Sequence, residues 1–509
     1  MMRYLLTSFL FALPFGVFAQ IPYEKIDSVD AGNINARVGT NGILWTNTAD
    51  GLAAAEFPKG SDKAIGFGCG ILIRGYENGN VLHLSGALYP DYSNPTLDFY
   101  PGPLDNAGNT NITTIDKWAK IWKIEETDIT AFLAQTVHTT GNTPTVILQW
   151  PAKGNQYATG NNNAPLTITE DMAPFHDFNN NGTYEPLQGE YPVIKGQQML
   201  WWVVNDNGLT HDATNGAPLK VQIEIAAYAF AQGGLIENVV YYDYTIKNKS
   251  AINYTNVRFG QLTDFDLGLY SDDYVGFDSA RRMGYNYNGD NMDGTGNYSY
   301  GSNIPIAGLT FVRVPGDQLN TYVPLGGFSH LANIYISTST SYFNDALDTM
   351  ISGFNECTSG NPTGDRNFVI GTGNFTLNAG ASESVVTALV VVDPGQNTSC
   401  PGVDSGLILE VADTAWGQFS WSLSASEVVS NKNMDLRIYP NPAGDRINID
   451  VTGLTARTDI EVYDVLGKKQ TVGARFFNKT AMISIDQLTP GIYHVFIAEL
   501  NASGTFIKK

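Results

Sequence analysis

Cysteine is nearly absent: Cys69, Cys357 and Cys400 are the whole complement of a 509-residue chain. So few thiols exclude a disulfide-built scaffold. With no Cys-x-x-Cys and no histidine pair at ligand spacing, they also exclude a structural zinc site. Cys357 and Cys400 each lie in a polar loop rich in Asn, Gly and Thr, and these two are expected to pair. Cys69, between Gly68 and Gly70 and ahead of Ile71-Leu72-Ile73, reads as a small buried residue of a strand. Three thiols cannot all pair within one chain, so one stays free or bridges outward. Charge is scarce as well, at 16% of residues, and positive charge is scarcest: 29 Lys and Arg against 50 Asp and Glu, a formal net charge of -21. The basic patches that nucleic-acid recognition requires are missing. Also missing are a Gly-x-Ser-x-Gly elbow, a His-Glu-x-x-His pair and a phosphate-cradling glycine loop. The six histidines suggest no working catalytic pair, and no catalytic residue is assigned. No apolar run after the first twenty residues is long enough to span a bilayer, which takes ~18 residues or more.

The one apolar run of note, residues 4–17, follows Arg3 and is roughly fourteen residues long, the length of a signal-peptide core. Val17 and Ala19 supply the small residues a signal peptidase needs, so cleavage is expected after Ala19. Gln20, not Cys, then leads the mature chain, so a lipid anchor lacks its thiol.

What is abundant is glycine (52), tyrosine (26), phenylalanine (25) and proline (23), the composition of a turn-rich, aromatic-rich β protein. Val221-Gln222-Ile223-Glu224-Ile225-Ala226 and Val239 to Ile246 alternate with period two, as strands with one face on a core and one toward water do. Further strands are read at Leu200 to Val204, Tyr254 to Phe259, Ser384 to Val392, and Thr145 to Trp150 ahead of Pro151. A short helix capped by Thr127 or Asp128 is expected near Phe132, and another where Leu409, Ala412 and Trp416 recur at helical spacing. The fold class is therefore mainly β: an antiparallel β-sandwich body with one or two short helices, then a small C-terminal β-sandwich. Residues 420–433, rich in Ser and Asn, read as a linker. The body, 20–419, is either one unit or two that divide near 150–200. Trp118, Trp122, Trp150, Trp201 and Trp202 suit either a core or the stacking of sugar rings. Trp201 and Trp202, adjacent in a strand, face opposite sides, so one of them needs a second packing layer or a ligand.

The best motif is Asp177-Phe178-Asn179-Asn180-Asn181-Gly182-Thr183-Tyr184-Glu185. Oxygen-bearing side chains fall at places one, three, five and nine of an EF-hand-type loop, with Gly at six to allow the tight turn. Hard Ca²⁺ wants roughly six to eight such oxygens. Gln188 occupies the twelfth place where Glu is expected, and Glu190 can substitute if Pro186 reroutes the chain. The ligands expected are Asp177, Asn179, Asn181, Thr183, Glu185 and Glu190; the competing reading is a solvated Asx-rich turn. A second group follows: Asp264, Asp266, Asp272, Asp273, Asp278, Asp290 and Asp293 fall within thirty residues. A cation would relieve their mutual repulsion, with Asp264, Asp266, Asp272 and Asp273 as its ligands. Arg281 and Arg282 offer ion pairing as the alternative.

Charge is unevenly spread. From Met434 onward eight acids face nine bases, leaving 42 acids and 20 bases in the rest. That tail reads Ile438-Tyr439-Pro440-Asn441-Pro442, Ile447-Asn448-Ile449-Asp450, Ile460 to Lys469, Leu488-Thr489-Pro490-Gly491-Ile492-Tyr493 and Phe506-Ile507-Lys508-Lys509. In order and along its whole length, 434–509 resembles the C-terminal sorting domain of the type IX secretion system of Bacteroidetes. The resemblance implies handling by that secretion machinery, passage through the periplasm, and release or surface attachment. Phe99 to Asp105, Trp150 to Asn155 and the 264–290 stretch resemble a recurrent class of large exported proteins of the same bacteria, a resemblance that brings no activity with it. The function expected is a non-catalytic cell-surface or secreted binding or adhesion protein with calcium-stabilised loops. Its partners would be an extracellular glycan or protein, not nucleic acid. The alternative is a secreted hydrolase acting on extracellular polysaccharide or protein.

Overall fold

The computed structural model describes residues 23–509 except 49–50, 88–95, 291, 295–297, 318–324, 326, 333–339, 350–353, 357–361, 394–405, 431–435, 451–459, 465–468, 471, 478–479 and 498–501. The signal peptide expected at 1–19 and the Cys357–Cys400 pair lie outside the described residues.

Two large antiparallel sheets form the body. One has eleven strands, running from its edge Gly327–Ala332 through Arg366–Gly371, Tyr254–Asp264 and Gly68–Glu77. The other has ten, with Gln198–Asn205, Val221–Ala229, Val239–Asn248, Ser382–Val392, Ile306–Arg313, Met283–Asn288 and Asp273–Asp278 side by side. Their facing sides share one core that includes Ile71, Ile73, Phe259 and Ile370 from the first and Trp202, Ile223, Tyr244 and Leu389 from the second. Trp45 crosses the gap, donating through Nε1 to the Tyr242 hydroxyl at 2.8 Å.

The period-two alternation marks real strands, but the polar face does not meet water. Every residue of Gln198–Asn205 is buried, and Val221–Ala229 is buried except at one partly exposed position. A second core covers the far side of the ten-stranded sheet, joining Trp201, Tyr228 and Tyr241 to Trp118, Trp122, Trp150 and the helix residues Ile408, Val411 and Ala415. Polar strand residues there find partners in the covering chain: the Leu104 amide donates to Gln222 Oε1 at 3.1 Å. All five body tryptophans named above are buried, so they are core and not a sugar-stacking platform. Trp202 faces the inner core and Trp201 the outer one, which is how adjacent indoles are both buried. On the eleven-stranded sheet the helix Thr340–Asp348 covers Leu72, Leu262 and Val369, tied down by Arg74, which donates to both Asp348 oxygens at 2.6 Å.

Three local expectations shift. Thr145–Leu148 is a short helix, not a strand. Pro144 sits at its N-cap, and the turn sends Ile147 and Trp150 into the outer core, which overrides the β preference of Thr145, Val146 and Ile147. The helix Glu126–Leu133 begins earlier than read, with Glu125 at the cap and its backbone N–H donating to Asp128 at 3.0 Å. The last body helix spans Gly406–Ser430, so much of the stretch read as linker is helical.

The tail is a separate pair of four-stranded antiparallel sheets, Arg437–Tyr439, Arg446–Asp450, Thr480–Ser484 and Gly473–Phe477 against Lys469–Gln470, Glu461–Asp464, Gly491–Ile497 and Ala502–Lys508. Ile447, Ile449, Val462, Ile483, Val495 and Phe506 fill the space between them.

Cys69 is buried in Gly68–Glu77, accepting from Gln261 Nε2 at 3.2 Å, and burial pushes its thiol well up. In a variant with Cys357 and Cys400 replaced by Ser, Ellman's reagent is expected to leave the native protein unmodified and to label one thiol in concentrated guanidinium. Rapid labelling without denaturant would contradict this burial.

Candidate metal centres

The 177–190 segment closes on itself. Phe175 bridges to Pro192, and the His176 amide donates to the Tyr191 carbonyl at 2.9 Å, pinching the base of the loop. Asn180 and Gly182 take left-handed backbone, φ 58° and 71°, and nothing lies where a Gly182 side chain would go. Glycine therefore serves the turn itself, not a close approach. The turn directs oxygens inward: Asp177 accepts from the Asn181 and Gly182 amides at 3.1 and 2.8 Å, and Asn181 Oδ1 from the Thr183 amide at 2.7 Å. Asn179 and Asn181 both donate to Glu185 Oε2, at 2.8 and 2.7 Å. Pro186–Gln188 forms a 3-10 turn and Gly189 (φ 97°) reverses the chain. This returns the buried Glu190 carboxylate to the loop, where it accepts from the Phe178 and Glu185 amides at 3.2 and 2.8 Å. Burial, with Asp177 and Glu185 adding to it, raises the Glu190 carboxyl above its ordinary range despite those two bonds.

The 264–293 acids divide into two groups. Asp264 ends its strand directly opposite Asn367, and this pairing brings in Asp365; one oxygen each of Asp264, Asp266 and Asp365 lies within 4.8 Å of the others. Burial and Asp365 push the Asp266 carboxyl up to about 7. Asp272 stands toward Asp293 and Asp290, and burial together with Asp293 pushes it up to about 6. Asp273 is fully buried and accepts from the Leu267 amide at 3.2 Å; burial holds its carboxyl well above the usual range. Asp365 and Asn367 were not legible as partners, being a hundred residues downstream and joined only through strand pairing. Ion pairing reaches one of the 264–293 acids: Arg281 meets Asp278 at 3.7 Å as well as Asp413 at 2.8 Å, while Arg282 pairs with Asp317 at 2.6 Å.

One further polar array was missed. Ser85 Oγ lies 2.9 Å from His211 Nε2, and His211 Nδ1 lies 3.3 Å from Asp98 Oδ1. The residue types are those of a nucleophile, base and orienting acid. Ser85, however, is fully buried and donates its proton to Asp206 Oδ2 at 2.7 Å. Asp98 also accepts from Gly86, Ala213 and Thr214, and Asp206 from Leu219 and Val221. The array pins the 206–221 connection to the Val81–Gly86 strand. The carboxylate beside His211 is Asp98, not the adjacent Asp212, which accepts from the Leu97 amide.

Residues 437–509 match the family described as the secretion system C-terminal sorting domain. The chain thus ends in a type IX sorting tail, which makes it cargo of that machinery and gives it a secreted or cell-surface location. Among the described residues no helix is long and apolar enough to cross a membrane. No curated protein matches the sequence. Solved structures with some likeness include a polysaccharide lyase (8% identity, TM-score 0.19, covering 56% of this chain and 34% of that one). A putative aldose 1-epimerase from Escherichia coli K12 (9%, 0.21, 72% and 99%) and the heparan sulfate lyase HepC from Pedobacter heparinus (8%, 0.20, 84% and 41%) are others. The chain spans about a third of the polysaccharide lyase, and TM-scores this low support no assignment of activity.

Proposed function

We propose that this is an exported, non-catalytic binding or adhesion protein of a Bacteroidetes bacterium. Its signal peptide (1–19) takes it to the periplasm, its body (20–419) makes the extracellular contact, and its tail (434–509) serves as secretion address. The observation that carries export is the sorting-domain match at 437–509. What supports binding over turnover is that the serine–histidine–aspartate array is sealed, with Ser85 fully buried and giving its proton to Asp206. The second reading is a secreted hydrolase acting on extracellular polysaccharide or protein; the array supports its protein-cleaving form, should the 206–221 connection open, because a serine nucleophile attacks an acyl carbon. Calcium at the 177–190 loop fits this setting: Asp177, Asn179, Asn181, Thr183, Glu185 and Glu190 are hard oxygen donors in a closed turn.

Two measurements test the reading. A chain truncated before Met434 is expected to accumulate in the periplasm while the full chain reaches the medium or cell surface; equal export of both would refute the address. The purified body is expected to show saturable binding on a glycan or matrix-protein array without turnover. Hydrolysis that disappears in Ser85→Ala, in a variant whose circular dichroism is unchanged, would instead establish the enzyme.

A further inference from the structure

The chain that covers the outer face of the ten-stranded sheet leaves a groove of about 480 Å³ between residues 103–118 and 165–172. That is the size of a small-molecule site. One residue of the sheet anchors both walls. Gln222, wholly buried, accepts from the Leu104 amide at 3.1 Å and donates through Nε2 to Met172 Sδ at 3.4 Å. Each wall is also braced within itself. Asp105 accepts from the Ala107 and Asn109 amides, both at 2.9 Å. Asn111 caps the helix Ile112–Trp118 by accepting from the Thr114 amide at 3.0 Å. On the other wall the Leu166 amide donates to the Ala158 carbonyl at 3.0 Å, and the Ile168 carbonyl accepts from Gly154 at 2.8 Å. The groove is therefore set before any ligand arrives, which lowers the entropy cost of binding.

Its lining selects a chemistry. The alternation Leu166-Thr167-Ile168-Thr169 buries the apolar pair and exposes the two threonines. On the other wall the Asp105 turn leaves Asn106 and Asn109 exposed. Hydroxyls and amides both donate and accept, as the hydroxyls of a sugar do. Charge adds no sign: Lys117 offsets Asp105, and Glu170 is taken up by Lys249 at 2.7 Å. The large apolar side chains there, Leu104, Trp118, Leu166, Ile168 and Met172, are only 2–9% exposed. The floor thus offers a peptide no open pocket for its side chains, and a sugar no ring to stack on. What the groove holds, it holds by hydrogen bonds.

We infer that this groove binds a neutral glycan, with Asn106 and Asn109 on one side and Thr167 and Thr169 on the other bonding its hydroxyls. The inference rests on the reading of the body as a binding protein, and gives that reading a site and a ligand class. The 42 acids against 20 bases ahead of Met434 agree with it, since their field repels anionic polysaccharide.

The test screens the mature full chain against neutral gluco-, manno-, galacto- and xylo-oligosaccharides, uronate oligosaccharides and a random-peptide library. Calorimetry then gives Kd for the tightest neutral binder. Asn109→Ala, Thr167→Val and Thr169→Val are each expected to raise that Kd roughly two- to tenfold, the loss of one hydrogen bond. Thr167→Trp, which fills the groove, is expected to abolish binding. Because these side chains are exposed, every variant should melt within about 2 °C of wild type. No binding to any neutral oligosaccharide overturns the proposal. Affinity unchanged in Thr167→Trp overturns it too, while leaving a glycan-binding body whose site lies elsewhere. Binding confined to uronates or to peptides is equally fatal. Release of reducing ends from the bound sugar would refute the non-catalytic reading instead, and its loss in Thr167→Trp would still place the sugar in this groove.

Discussion

Replacing Arg366 by Met is expected to destabilise the protein by about 3–5 kcal/mol, the cost of leaving one member of a buried pair without its partner. Arg366 is 7% exposed and Glu356 1%, and the guanidinium lies 2.9 Å from both carboxylate oxygens. Glu356 also accepts from the Val275 amide at 3.2 Å, so the pair links the Arg366–Gly371 strand of one sheet to Asp273–Asp278 of the other. Without the arginine, the Glu356 carboxylate would remain in the interior with no opposite charge beside it. The double change Arg366→Met with Glu356→Leu is expected to recover most of the loss, because removing both charges leaves nothing stranded. Urea unfolding followed by circular dichroism measures both. A single-variant loss below about 1 kcal/mol would show that the pair does not hold the sheets.

Trp202→Ala is expected to cost a similar amount, about 3–5 kcal/mol, for a different reason. Its indole is fully buried in the inner core, opposite Ile225 on the next strand, and truncation leaves a cavity that strands from two sheets cannot collapse to fill. Trp202→Phe separates volume from polarity. The indole Nε1 has no hydrogen-bond partner, so removing it relieves a buried donor worth about 1–3 kcal/mol and offsets part of the lost packing. The Phe variant should therefore lose under about 2 kcal/mol. An Ala variant as stable as the Phe variant would place Trp202 outside the tightly packed interior.

These two residues mark what was and was not readable in the amino-acid order. The Trp201–Trp202 dipeptide demands packing on both sides of a strand, and both layers are there. The alternating runs located the central strands because period two survives even when both faces are covered. That second covering was hidden, since Gln222 and Glu224 look solvent-facing until the Leu104 region is laid over them. Thr145–Leu148 misled because three β-branched residues and a leucine are too short a run to hold a strand once a proline fixes its start. For the candidate centres, contiguity decided. The oxygens of 177–190 come from one short stretch, including a Glu190 that needed Pro186 and Gly189 to bring it back. The Asp264–Asp266–Asp365 group, and the Ser85–His211–Asp98 array likewise, exist only through non-local pairing that no spacing rule encodes.

The ten-stranded sheet is clad on both sides, by its partner sheet on one and by helices and long connections on the other. Among the described residues its strands Gln198–Asn205 and Val221–Ala229 leave no bare face on which an extended polymer could lie. Substitution on either face of these strands therefore changes packing, and the rims and crossovers are where the sequence can vary at least cost to the core.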